Sequence, residues 1–342
     1  MGAGVEPVAD AAEALVRSLF AALLRRPPTA PELAVWTRHA RAETPAELVR
    51  RFGESPICAR TRGVPSFWPA GHYYPPVVDP TSVHGYVMKH RAAGLDGLAG
   101  IATDLPAMEA LWARHTAALG ALDLPRARDP DRRFMLEGSP FPAGDAASLF
   151  LMMREHRPKR ILEVGSGFST AAALDFAERL ALDPFTMRCV EPYPDLLKSL
   201  LRDGDAARVE LIEKPVQDVS AEEGVARLAP GDFLLIDSTH VLKTGSDVHH
   251  EIFTWLPRVP AGVLVHFHDC PFPFEYPDLW IMGRNYSWNE AYAVRAFLMF
   301  NQSFRIEFWA SLLRTRLGRA LGEASPCHAE NVGSSLWLRR VG

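Results

Sequence analysis

Four cysteines in 342 residues leave little material for a disulfide framework. Cys58, Cys189, Cys270 and Cys327 form no C-x-x-C pair and match no zinc-ribbon or finger spacing, so reduced, mostly buried thiols are expected. No apolar run is long enough to span a bilayer. The opening MGAGVEPVADAAEALV lacks the basic start and apolar core of a secretory signal. Glu6 stands where a myristoylation signal wants Ser or Thr. Neither sign of charge dominates. A net charge of −4 without a basic stripe gives no electrostatic reason for binding nucleic acid or an anionic membrane. These absences describe an ordinary soluble, cytoplasmic protein built as one large domain or two smaller ones.

What is present falls into three zones. From about Asp10 to Pro56 the pattern is helical. DAAEALVRSLFAALLRRPP sets Leu15, Leu19 and Leu23 at helical spacing, with Asp10 as N-cap and Pro27-Pro28 as the stop. TAPELAVWTRHARA opens on Thr29 with Pro31 in its first turn, and TPAELVRRFGESP repeats that grammar with Thr44, Pro45 and a capping-box Glu47. Three short helices make a module too small for a strong core of its own. From about Gly63 to Pro140 the sequence is irregular. VPSFWPAGHYYPPVVDPTSVHG reads as an ordered loop packed by its rings, and Leu95 to Leu122 as largely helical. The expected division is a helical module over 1–60, a linker or lid region over 61–140 and a main domain over 141–342.

The third zone alternates strands with helices. RILEVGSG, MRCVEPY, VELIEKPV, DFLLIDS and GVLVHFHD are apolar runs of strand length, with helical stretches from Ser169 to about Ala181 and from Asp195 to Arg202. That alternation predicts an α/β fold with a doubly wound parallel sheet covered on both faces. SFRIEFWAS and SSLWLRRV follow without a helix-length pattern between them, which predicts a closing hairpin. Ligands of such sheets bind beyond the carboxyl ends of the strands. There the first strand runs into Glu163-Val164-Gly165-Ser166-Gly167-Phe168-Ser169-Thr170, where glycines admit close backbone approach and a helix begins. A nicotinamide dinucleotide site wants a third glycine where this chain has Thr170. The alternative is a nucleoside ligand without a pyrophosphate. Glu191, ending the second strand, would accept from two ribose hydroxyls, and Gln217-Asp218, after the third, would meet an adenine amino group.

ILEVGSGFST, VEPYP, KPVQDV and FLLIDSTH, in this order, resemble the class I S-adenosylmethionine-dependent methyltransferases, which close a Rossmann-like sheet with an antiparallel strand. GHYYPPVVDP, IDSTHVLKTGSDVHHEI, GVLVHFHDCPFPFEYP and WNEAYAVRAFLMFN resemble one bacterial small-molecule subfamily of that class. The resemblance implies S-adenosylmethionine as cofactor of residues 141–342. By it Glu163, Gly165, Ser166 and Gly167 hold the methionine part and sugar, Glu191 the ribose and Asp218, beside Gln217, the adenine, with Asp237 at the cofactor edge. The N-terminal helices resemble short modules of bacterial multidomain proteins in which LF..LLRRPPT..EL..W recurs, implying a protein partner or self-association.

Methyl transfer from a sulfonium uses a donor already activated, so the protein positions the acceptor and removes its proton. Histidine is the default base near neutral pH, and a carboxylate-held divalent metal is the other device. Both point to one edge. By the family resemblance the fourth and fifth strands are neighbours, roughly 4.8 Å apart, which brings Asp237, His240 and Asp269 together. On a strand His266 and His268 share one face and Phe267 and Asp269 the other, so His268 and Asp269 converge only if the strand stops before Asp269. A metal would use Asp237 and Asp269, yet the next residue is Cys270, a poor magnesium ligand. A mixed His/Asp site would suit manganese, iron or zinc. The reading adopted is metal-free catalysis by His240, His268 and Asp269, although a structural role competes for each histidine taken singly.

His72, Tyr73 and Tyr74 are candidates for an acceptor pocket, and Phe272, Phe274, Tyr276, Trp280 and Trp288 for an aromatic lid. Lys243 to Asp247 forms either a loop over the site or a helix cap, and Asn289 is a cap candidate. The expected function is O-methylation of a small molecule, a sugar or specialised metabolite. An NAD-dependent oxidoreductase and a non-catalytic scaffold are the alternatives.

Overall fold

The computed structural model describes residues 11–24, 26–55, 71–72 and 74–342. They fall into two units, Met1–Pro75 and Pro76–Gly342. The expected N-cap Asp10, Cys58 and Tyr73 lie outside the described residues.

The first unit holds helices α1 (Ala11–Leu24), α2 (Ala30–Ala42) and α3 (Pro45–Glu54). The capping grammar works as written. Thr44 and Glu47 exchange bonds, the Thr44 N–H donating to Glu47 Oε2 at 2.9 Å and the Glu47 N–H to Thr44 Oγ1 at 3.3 Å. Glu32 Oε2 accepts the Thr29 N–H at 2.8 Å in the same manner. The apolar faces meet in a small core in which Phe52 packs edge-on against Phe20 and Trp36, at 5.0 and 4.6 Å between ring centres.

The second unit opens on α4 (Pro80–Ala92), where an irregular loop is expected. Asp79 caps it, accepting the Thr81 N–H at 3.0 Å, and Pro80 takes the first helical position. The stretch read as one helix over Leu95–Leu122 is a 3₁₀ turn at Gly94–Leu98 followed by α5 (Leu105–Gly120). After α6 (Ala143–His156) come β1 (Arg160–Val164), α7 (Phe168–Arg179), β2 (Thr186–Val190), α8 (Asp195–Leu200), β3 (Val209–Ile212) and β4 (Phe233–Ile236). Then follow α9 (Asp247–His250), β5 (Leu264–Phe267), α10 (Glu290–Leu298), β6 (Phe304–Trp309) and β7 (Leu336–Arg340).

The seven strands form one sheet in the order β3-β2-β1-β4-β5-β7-β6, with β7 antiparallel to both neighbours. The closing pair is not a tight hairpin. Three short helices, α11 (Ala310–Leu317), α12 (Arg319–Ala324) and α13 (Pro326–Glu330), lie between β6 and β7. Each is under three turns, too short to show a helical period in sequence. The three buried free cysteines, Cys189, Cys270 and Cys327, sit in this unit. Among the described residues no helix is long and apolar enough to cross a membrane.

Register sets up the site. Val164 pairs with Ile236 and Ile236 with Phe267, so β1, β4 and β5 end level. The residues just beyond them, Gly165, Asp237 and His268, emerge side by side where the strand order reverses around β1.

Candidate active site

The loop from β1 to α7 is shaped by contact with β4. Gly165 has φ +77°, and a Cβ there would fall 1.8 Å from the Asp237 carbonyl oxygen, so no other residue fits. Thr170 occupies the place of the missing third glycine. Its hydroxyl donates to the Glu163 carboxylate and accepts the Gly167 N–H at 3.1 Å, tying the first turn of α7 to the end of β1. Burial lifts the Glu163 carboxyl to about 7, against the hydrogen bonds of Ser169 and Thr170. Glu163 Oε1 and the Ser166 hydroxyl are buried without a hydrogen-bond partner among the described residues. Glu191, at the end of β2, accepts the Ser166 N–H at 3.2 Å and the Tyr193 N–H at 2.8 Å, so its carboxylate stands over the loop. Gln217 and Asp218 are exposed on a 3₁₀ turn after β3, and Gln217 Nε2 donates to the Gly245 carbonyl at 2.9 Å.

At the ends of β4 and β5 two aspartates and two histidines converge. β5 stops at Phe267 and Asp269 takes φ +51°, which lets His268 and Asp269 turn toward the same neighbours. His268 Nδ1 lies 3.1 Å from Asp237 Oδ1 and 3.6 Å from Asp269 Oδ1. His240 Nε2 lies 3.5 Å from Asp237 Oδ1 and 3.7 Å from Asp269 Oδ2. His240, itself at φ +60°, is held from behind: its Nδ1 is 2.7 Å from Glu290 Oε2 and its ring packs 4.4 Å from Trp288. Two non-glycine residues in left-handed conformations flank the cluster, each costing about 1 kcal/mol that the surrounding contacts must offset.

Exposure separates the two pairs. The Asp237 and Asp269 side chains keep 27% and 15%, against 7% and 4% for His240 and His268. The carboxylates are thus the more exposed members of the cluster and the imidazoles the more buried. Burial opposes the charge on both histidines, but the carboxylates outweigh it. Asp237 and Glu290 raise His240 to about 10, and Asp237, Asp269 and Asp145 raise His268 well above its ordinary value. Burial likewise opposes ionisation of Asp237, yet His268 and His240 bring it far below the usual carboxylate range. For Asp269 burial wins over the imidazoles and lifts the carboxyl to about 6.

Two participants stand outside the site residues expected from sequence. Asp145, buried in the first turn of α6, accepts the Ser334 and Ser335 N–H groups, both at 2.8 Å, and points its other oxygen at His268 Nε2, 3.4 Å away. Glu290 opens α10. Both reach the cluster from remote segments, so spacing alone does not join them to it, although Glu290 lies within WNEAYAVRAFLMFN. Asn289 stands at the N-cap of α10, but its side chain caps nothing: its oxygen accepts the Leu242 N–H at 2.6 Å and its amide donates to the Leu242 carbonyl at 3.2 Å. Ser246 caps α9, while Asp247 accepts from Thr239. His266 turns away, bonded to the Ser335 hydroxyl at 2.8 Å and packed on Trp337. Cys270 is buried, its carbonyl accepting Trp309 Nε1 at 2.8 Å. Phe272 and Phe274 pack on Trp309, away from the Tyr276, Trp280 and Trp288 group. His72 and Tyr74 stack on each other at 5.6 Å within the first unit.

The ligand atoms of Asp237, His240 and His268 lie within 4.8 Å of one another, a set that could hold a metal ion. It differs from the expected Asp237–Asp269 pair. One carboxylate with two imidazoles suits a transition ion better than magnesium.

A parallel sheet with its antiparallel penultimate strand, a glycine loop after β1 and an acid ending β2 define a nucleoside-binding, Rossmann-like domain. Residues 162–270 match the family model of a methyltransferase domain. An uncharacterised protein of Archaeoglobus fulgidus is 31% identical over 167 residues, 46% of this chain and 72% of that protein. Among solved structures, an S-adenosylhomocysteine-bound methyltransferase of Podospora anserina overlaps 82% of this chain and 100% of its own, at 16% identity and a TM-score of 0.39. The O-methyltransferase TomG of Streptomyces achromogenes, involved in tomaymycin synthesis and solved with S-adenosylmethionine, overlaps 71% of this chain and 92% of its own, at 17% identity and a TM-score of 0.36. Residues 162–270 thus form a methyltransferase domain by the family model they match.

Proposed function

We propose that this enzyme methylates a hydroxyl group of a small-molecule acceptor, with Asp269 taking the hydroxyl proton. The observation that carries this reading is the convergence of Asp237, His240, His268 and Asp269 beside the glycine loop, the carboxylates more exposed than the imidazoles. When bound, S-adenosylmethionine supplies a methyl group already activated as a sulfonium. Glu163, Gly165, Ser166, Gly167 and Glu191 are placed to hold its methionine and ribose portions. The unpartnered Glu163 Oε1 and Ser166 hydroxyl, and the hollow that a Cβ at Gly165 would fill, fit such a guest. Gln217 and Asp218 stand at the adenine end, and Asp237 closes the cofactor edge.

Asp269 combines partial exposure with a carboxyl lifted to about 6. A base titrating there is ionised at neutral pH and still accepts a proton readily. His240 and His268 hold their protons in that range, so their part is positioning: they fix the two carboxylates rather than receive the acceptor proton. This moves the base from histidine, the residue expected from sequence, to aspartate.

The test is a kinetic pair, using an acceptor found by screening hydroxylated compounds for S-adenosylhomocysteine release. Asp269→Asn should lower turnover by about a hundredfold or more while S-adenosylhomocysteine still binds at wild-type strength. A greater loss in His268→Gln, with Asp269→Asn near wild type, would return the base to histidine. Turnover is expected to survive chelation. Loss that manganese or zinc restores would transfer the role to an ion held by Asp237, His240 and His268.

A further inference from the structure

A cavity of about 420 Å³ lies beside this cluster, within the second unit. Its walls are rings: Tyr86 from α4, and Tyr276, Trp280, Tyr286, Trp288 and Tyr292 from the segment between β5 and the end of α10. They are set at angles to one another rather than as a flat platform. Trp288 stacks on Tyr286 at 4.3 Å and meets Trp280 edge-on at 5.3 Å, and Tyr276 meets Tyr292 edge-on at 5.6 Å. Trp288 also packs on His240, so one wall of the cavity is shared with the proton-handling cluster.

The polar groups around the cavity are mostly committed to the protein. Asn285 donates to the Val78 carbonyl and accepts from Ser287, and Asn289 spends both amide atoms on Leu242. The Tyr276 hydroxyl accepts the Ala291 N–H. Arg91 is bound to Asp278 and the Tyr276 carbonyl, and Arg295 to the Gly97 carbonyl. Glu275 differs. It is 5% exposed, and its Oε2 accepts from the Tyr292 hydroxyl at 3.0 Å. Its Oε1 forms no hydrogen bond among the described residues, and His90 Nδ1 lies 3.8 Å away. Beyond the Tyr292 hydroxyl and the more distant His90, Arg91 and Arg295, this carboxylate keeps one oxygen free of hydrogen bonds among the described residues. A carboxylate and electron-rich indole and phenol faces attract the same partner, a cation. A polyhydroxylated sugar would need several free directional partners, and those are already taken.

Resting on the methyltransferase reading above, we infer that this cavity is the acceptor subsite and takes a ring-bearing compound with a protonated amine, the amine against Glu275 and the rings. The amine anchors the acceptor, and a hydroxyl elsewhere on it reaches Asp269 past Trp288. Of the sugar or specialised metabolite expected from sequence, this inference takes the second, as an amine-bearing aromatic or alicyclic compound.

Tyramine and its uncharged, deaminated analogue 4-ethylphenol test this by titration calorimetry on the full chain loaded with S-adenosylhomocysteine. Tyramine should bind at least about tenfold more tightly than 4-ethylphenol, the discrimination expected when a cage and a carboxylate meet one cation. Glu275→Gln should reduce that ratio to about one, leaving 4-ethylphenol and S-adenosylhomocysteine binding unchanged. Equal binding of the two probes, no binding of tyramine at millimolar concentration, or a preference that persists in Glu275→Gln overturns the inference. Failure of S-adenosylhomocysteine itself to bind the wild-type chain would instead overturn the reading beneath it.

Discussion

Gly165 is the residue on which the donor side turns. Its missing Cβ leaves room for the Asp237 carbonyl, and Ala there would have to displace one of two strand ends. Gly165→Ala should destabilise the second unit by about 3 kcal/mol and abolish S-adenosylhomocysteine binding, read by thermal melting and calorimetry. At Asp269 the sign of the pH effect is fixed by its role. A base must be ionised, and its carboxyl titrates at about 6, so turnover should rise with pH through that value and level off. His240 keeps its proton up to about 10, so a falling limb is expected only at alkaline pH. Asp269→Asn should erase the acid limb from the pH profile. The grouping of this candidate site was legible in sequence, because Glu163 lies near the end of one apolar strand and Glu191, Asp237 and Asp269 follow others whose ends share an edge. Asp145 and Glu290 were not legible, since their partner His268 or His240 is reached only through tertiary packing. Nor could sequence show which way the proton goes among four carboxylates and two imidazoles, because burial and mutual distance decide it.

Elements were readable where local chemistry speaks loudly. The Thr-Pro openings of α2 and α3 carried their caps into the structure, and Thr44→Ala should cost the first unit about 1 kcal/mol, measurable as a lowered melting transition. The helix α4 escaped notice although Asp79-Pro80 is a start signal, because tyrosines and prolines just upstream drew it into the same loop. Between β6 and β7, three helices of five to eight residues replaced an expected turn. Pieces that short are stabilised by packing rather than by a periodic face, so no pattern marks them. The irregular backbone after β5 has the opposite origin. Phe274, Asn285 and Ser287 all take positive φ near the aromatic cavity, conformations no propensity argument would assign to them.

At the scale of the whole molecule, the described buried apolar residues form one cluster within Met1–Pro75 and one within Pro76–Gly342. Each should unfold as its own cooperative step. Scanning calorimetry is expected to give two transitions, with S-adenosylhomocysteine raising only that of the larger unit, since a ligand stabilises what it binds. A single transition raised as a whole would show the two cores to be coupled.

The threonine that ties α7 to β1 has a consequence for how resemblance and activity relate. Thr170→Gly would complete the G-x-G-x-x-G fingerprint and make the chain score higher as a dinucleotide-binding protein. The same change removes the hydroxyl that serves both Glu163 and the Gly167 N–H. The variant closer to the fingerprint should therefore bind its nucleoside more weakly and gain no affinity for NAD, a divergence that parallel titrations with S-adenosylhomocysteine and NAD would expose.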